Sequence, residues 1–308
     1  MKNIDKLREV FHQLLLDRKI IFLVLAALLA TVSIITRYTG VHSWSNYKIF
    51  TSYIPYAFTW VVLAWVITDK SILRKPWPYV TIFAMLFIDK IYWNLFYLFF
   101  PPSRYYTSSL PGDAFLVGSP HLVVPSVEWF NLQEKAHHLL IIVEFVIMVS
   151  VFIIFWYLSR PRDFTKLKTK LGFLKNKRMI LIVIGSFFIT MHLWLFHVVR
   201  YIGGIRFFEF LITNWYMIDW FNFLFHGLPL AIGIIVFAVV ITNIEDKIKY
   251  LLYLIIFLII LLLYTPWFNQ VYYIHSMVLN IVHIFCYFLL YMLLFLSTLL
   301  LAKTKYLE

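Results

Sequence analysis

Between Met191 and Gly227 the stretch MHLWLFHVVRYIGGIRFFEFLITNWYMIDWFNFLFHG places His192, His197, Arg200, Glu209, Asp219, Asn222 and His226 between two strongly apolar runs. An ionisable side chain inside a membrane span costs about 2.5 kcal/mol or more, so it is usually paired, faces a cavity or carries function. Neutral imidazoles from different helices at one depth are what the axial positions of a b-type haem require, and equally what a copper or other late-metal site requires. The hairpin is therefore read as the centre of chemistry. His192, His197, His226 and His283 are the candidate cofactor ligands, and Asp219, Glu144 and Arg200 the candidate catalytic groups.

Helical spacing says which of these can converge. Asp219, Asn222 and His226 stand at i, i+3 and i+7 and form one polar stripe. His197 and Arg200 share a face, His137 and Glu144 are seven apart, and Asn280, His283 and Tyr287 form a further stripe. Lys90, Asn94 and Tyr97 repeat the spacing with Asp89 beside them, and Asp89 and Lys90 are expected to pair with other helices rather than with each other. Stripes aimed at lipid would leave polar groups unsatisfied in hydrocarbon, so the economical arrangement aims all five at one cavity.

The elements that must position these groups follow from composition. The chain has 308 residues, 62% hydrophobic and 20% aromatic with only 14% charged, which is the profile of an integral membrane protein. The expected fold is all-α, a polytopic bundle of about eight transmembrane helices near 20–38, 52–68, 77–100, 136–158, 179–203, 221–242, 249–266 and 276–301. Residues 1–19 read as an amphipathic cytoplasmic segment, 20–301 as a single transmembrane domain and 302–308 as a cytoplasmic tail. No cleavable secretory signal is visible, so the N-terminus is read as retained.

Charge placement sets the expected orientation. With both termini inside, the segments 1–19, 69–76, 159–178, 243–249 and 303–308 carry 20 of the 27 Lys and Arg residues, the bias expected of cytoplasmic loops. The net charge of +12 thus points to anionic lipid headgroups, with the basic inner loop 159–178 as a topological anchor, and not to nucleic acid. On this topology only His12 lies inside. His197 falls about 9 Å below the outer end of the fifth span, His226 about 8 Å into the sixth, and His192 and His283 roughly 10–16 Å down. A single histidine at such depth most often serves as a hydrogen bond between helices; four at matched depth point to a shared site.

The one long outer connection, 101–135, contains five prolines and two glycines that argue against a continuous helix, and its aromatic content suits a cap dipping into the headgroup region. No Asn-x-Ser/Thr sequon occurs, the single Cys286 allows no intramolecular disulfide, and the lack of Cys-x-x-Cys-His excludes covalent haem c. Neither an internal repeat of the inverted-transporter type nor a pair of interrupted helices in matching halves is visible in the sequence, which weakens a transporter reading.

Haem b would take His197 with His226, or His192 with His283, between aromatic walls such as Phe187, Phe188, Trp194 and Trp220. A quinol site would use Asp219, Glu144 or Glu128 with Tyr and His donors, and needs no metal. The eight-helix plan, the outer-face histidines and the runs of Ile, Leu, Phe and Tyr resemble the very hydrophobic membrane subunit that accompanies the glycosylated b-type cytochrome of thermoacidophilic (Sulfolobus-type) crenarchaea. That resemblance implies a respiratory role at the cell membrane beside a redox partner on the outer face, with the haem held here or by that partner. The integral subunits of copper membrane monooxygenases offer a second comparison through Asn222-x3-His226 and the analogous Glu134-x3-His138, with His137, His138 and Asn222 as candidate metal groups. No downstream histidine completes either set, since Val240 and Val151 stand at the positions to be searched. A membrane scaffold or assembly subunit, and a transporter, are the remaining classes.

Overall fold

The structure is a computed structural model that describes residues 19–38, 49–68, 74–100, 127–160, 176–191, 223–244, 247–263, 265 and 277–302. It is all-helical, with no strand among those residues. The helices are α1 (Lys19–Tyr38), α2 (Ile54–Ile67), α3 (Trp77–Phe99), α4 (Val127–Ser159), α5 (residues 177–191), α6 (Leu228–Ile241), α7 (Ile248–Leu263) and α8 (Met277–Ala302). Each coincides with one of the eight apolar segments. Among the described residues four helical stretches are long and apolar enough to cross a membrane, namely Ile49–Ile67, Asn131–Ser159, Phe223–Ile241 and Ile281–Ala302, and Lys19–Ile34 and Ile248–Leu263 are shorter apolar helices. Apolar side chains such as Ile21, Leu98, Ile142, Leu254 and Phe285 are largely exposed on the outer surface of the bundle, where they would lie against lipid.

Among the described residues the one large departure from the sequence boundaries is α4, which begins at Val127, inside the segment read as the outer loop 101–135. Pro125 is the last of that segment's prolines, and nothing after it interrupts the helical hydrogen bonds. Residues 1–18, 101–126, 161–175 and 303–308 lie outside the described residues, and with them most of the amphipathic segment, the outer loop, the basic loop and the tail.

The helices α2, α4, α6 and α8 close a ring of four: α2 packs on α4, α4 on α6, α6 on α8 and α8 on α2. The others fill the corners. α1 bridges α8 and α2, α3 bridges α2 and α4, and α7 bridges α6 and α8. α5 closes the fourth corner, because Gly185 lies against Phe152 of α4 and against Gly233 and Val236 of α6. This pattern is unchanged when α1–α4 are exchanged for α5–α8.

The exchange reflects a sequence repeat. IPYAFTWVVLAWVIT (54–68) and LPLAIGIIVFAVVIT (228–242) are identical at seven of fifteen positions, and each follows a five-residue π-helical turn, Ile49–Tyr53 or Phe223–Gly227. The cause is the same in both. Pro55 and Pro229 have no N–H to give and crowd the preceding turn, so the helix widens to a π turn before them. Both helices end at a threonine, Thr68 or Thr242, that donates its hydroxyl to an alanine carbonyl four residues back. Each of those hydroxyls then accepts a hydrogen bond from a tyrosine eleven residues on, Tyr79 at 3.0 Å and Tyr253 at 2.8 Å.

The described helices thus form a tandem of two units with four helices each. This corrects the reading that no interrupted helices stand in matching halves. The repeat runs in the same direction rather than inverted, and its identities are small apolar residues that do not stand out in so apolar a chain.

One end of the bundle gathers the start of α1, α3 and α7 and the finish of α2, α4, α6 and α8. Lys19 Nζ donates to Val66 O at 3.0 Å, the Trp77 and Tyr157 rings lie 5.6 Å apart, and Asn243 Nδ2 donates to Ala302 O at 2.6 Å. Arg160 donates to Thr242 O, and Asn243 N donates to Leu301 O at 2.8 Å. The helices therefore alternate in direction. Lys19, Arg74, Lys75, Arg160, Arg178 and Lys247 all sit at this basic end.

Candidate functional site

Three helices of the first unit bring a group of charges together. Asp89 and Lys90 lie on α3, about 20 Å from its start at the basic end at 1.5 Å per residue. Lys90 Nζ is 2.7 Å from Asp89 Oδ2 and 5.0 Å from the centre of the ring of Tyr56, the third residue of α2 after Ile54 and Pro55. Glu144, buried on α4, interacts electrostatically with both Tyr56 and Lys90. Asp89 and Lys90 thus pair with each other, against the expectation that each would pair elsewhere. Adjacent helical positions differ by about 100° in azimuth, but a lysine stem is long enough to curl its ammonium back to the neighbouring carboxylate.

Below this group, toward the basic end, three helices of the ring share aromatic contacts. The rings of Trp60 and Phe155 lie 6.1 Å apart, those of Phe155 and Phe237 5.2 Å, and those of Phe152 and Phe237 4.6 Å, joining α2, α4 and α6 in one aromatic layer. Phe152, Phe155 and Phe237 are buried. The polar clasp at Thr242 and Asn243 closes the same end. The charged group therefore sits in the half of the bundle away from the basic end.

The remaining candidates fall as follows. His283 is buried on α8 with its ring 4.8 Å from that of Tyr287, so the stripe read from their spacing is a contact. His226 lies on the π turn before α6, partly buried, at the place that Ser52 occupies in the first unit. There Ser52 and Ser33 exchange hydroxyl-to-carbonyl hydrogen bonds at 2.9 and 3.0 Å, tying α1 to the turn. His137 is partly buried and His138 exposed, near the start of α4, where Tyr92 of α3 donates to Ala136 O at 2.8 Å. His192, His197, Arg200, Asp219 and Asn222 lie outside the described residues. Among the described residues no group of three or more His, Cys, Asp and Glu is placed to hold one metal ion.

Tyr56 is the member of the charged group that sequence reasoning missed. Its signal is its place directly after Pro55, at the break in an otherwise regular apolar helix, because such breaks in corresponding halves of a repeat point to binding sites. Comparison with protein-family models, with curated proteins and with solved structures finds no match.

Proposed function

We propose that the chain is a multi-pass subunit of the cell membrane with eight crossings and both termini cytoplasmic, and that it serves a respiratory electron-transfer complex. In this reading it meets a membrane quinol in its outer half and a redox partner at the outer face, with haem b held by this chain or by that partner. The observation that carries the reading is the one-sided site. Glu144, Lys90, Asp89 and Tyr56 lie above the aromatic layer of α2, α4 and α6, in the half of the bundle away from the basic end. The basic end is the cytoplasmic one by the distribution of Lys and Arg. His226 and His283 lie in the same half, about 22 and 28 Å from that end along α6 and α8. Protons given up by a quinol there leave outward. A reduced-minus-oxidised spectrum of the purified protein, with metal analysis, tests the reading: a haem or metal signal lost in His226→Ala assigns the centre to this chain. Intact spectra with slower quinol oxidation assign it only the quinol.

One observation favours a second reading, a transporter. Same-direction repeats with matched interrupted helices are a transporter device, with substrate bound between the halves. It requires the Trp60, Phe155 and Phe237 layer to open, and substrate-driven flux across reconstituted vesicles is its test.

A further inference from the structure

The tandem repeat supplies an internal control for the buried charges. In the register fixed by Pro55 and Pro229, Leu230 stands where Tyr56 stands in the first unit; in that fixed by Tyr79 and Tyr253, Leu263 stands where Asp89 does. α8, the counterpart of α4, contains no charged residue between Met277 and Ala302. The second unit nevertheless builds the same π turn, the same proline-started helix and the same Thr–Tyr bond. The second unit thus builds these features with no charge at the compared positions, and burying carboxylates and an ammonium in an apolar bundle is costly.

We infer that Tyr56, Asp89, Lys90 and Glu144 form a proton-exchange site confined to the first repeat, with the Glu144 carboxylate taking up and releasing the proton. The Asp89 carboxylate lies against the Lys90 ammonium and the Glu144 carboxylate acts on it electrostatically, so adding one proton to a carboxyl brings these three charges to neutrality. A bound metal cation fits less well. A hard cation asks for about six oxygen ligands, and the ammonium of Lys90 already occupies the cation position at Asp89. The charged and titratable groups acting on Tyr56 and Lys90 are each other, Asp89 and Glu144, and Tyr56 is also hydrogen-bonded with Trp60. Of the neighbouring helices, α4 also carries His137, α6 is preceded by His226, and α8 carries His283 and Tyr287. The inference holds whether the chain is a redox subunit or a carrier, because it concerns the proton alone.

The test is infrared difference spectroscopy of the full-length protein in detergent after a pH jump, in H2O and in D2O. The expected result is a carboxylic-acid C=O band that shifts in D2O, disappears in Glu144→Gln and persists in Glu134→Gln. A second variant, Asp89→Leu with Lys90→Leu and Glu144→Leu, removes the three charges together. It is expected to keep the wild-type helix content and thermal midpoint while losing the band. A band of wild-type amplitude in Glu144→Gln, no such band in the wild type, or its abolition by sodium chloride at constant pH would each overturn the proposal. So would failure of the apolar variant to fold.

Discussion

Tyr253 donates its phenolic hydrogen to Thr242 Oγ1 at 2.8 Å, and the hydroxyl it meets is already donating to Ala238 O. Tyr79 and Thr68 form the same relay with Ala64 O in the first unit. Each relay fixes the turn between an inner and an outer helix at the basic end. Replacing either tyrosine by Phe removes one hydrogen bond and leaves the threonine satisfied by its own helix. The expected loss is about 1 kcal/mol apiece. The two sites share no partner, so the double variant is expected to lose the sum within about 0.5 kcal/mol. Denaturant titration of the purified protein measures both; a double variant no weaker than either single one would show that the relays do not act independently.

Gly233 and Gly185 let α5 and α6 approach closely. A Cβ at Gly233 would lie 2.5 Å from Ile189 Cγ1 and 2.8 Å from the Gly185 carbonyl oxygen, whereas one at Gly185 meets nothing nearer than 3.1 Å. Backbone cannot yield as a side-chain tip can. Gly233→Ala is therefore expected to cost about 1–3 kcal/mol, and Gly185→Ala less. Thermal unfolding of the two variants, compared with wild type, checks the order.

The Asp89–Lys90 pair responds differently to half removal and to full removal. Lys90→Met leaves a carboxylate whose side chain is 2% exposed beside no ammonium, and breaking such a pair costs roughly 3 kcal/mol or more. The figure is reduced here because the Lys90 side chain is 30% exposed. Replacing both residues by Leu is expected to be nearly neutral. A double variant as unstable as Lys90→Met would contradict this.

The orientation is tested by a Cys introduced at Lys170 in the otherwise native chain. It is expected to resist an impermeant thiol reagent added outside intact cells and to react after the membrane is opened. Labelling from outside would invert every depth assigned above.

The eight apolar segments were legible because hydrophobic run length is a one-dimensional signal, and each of the eight holds a helix. Which polar groups converge was legible only in part. Spacing within one helix correctly joined His283 to Tyr287, since i and i+4 share a face. It could not join Tyr56 to Lys90 and Glu144, because that contact depends on how α2, α3 and α4 pack. The repeat was hidden for a related reason: its shared positions, Pro55, Ala57, Val62, Ala64, Val66, Ile67 and Thr68, are ordinary in an apolar chain and gain meaning only beside the matching π turns and Thr–Tyr bonds.

The respiratory reading is tested most directly by quinol oxidation in the complex isolated from its own membranes. Spectra and turnover would be recorded for wild type and for Ala variants of His192, His197, His226 and His283. The account predicts quinol-dependent reduction of a haem or metal centre in the wild type, with at least one histidine variant losing the absorbing centre or slowing its reduction. Unchanged spectra and unchanged turnover in all four variants would contradict it and leave the chain a scaffold or a carrier.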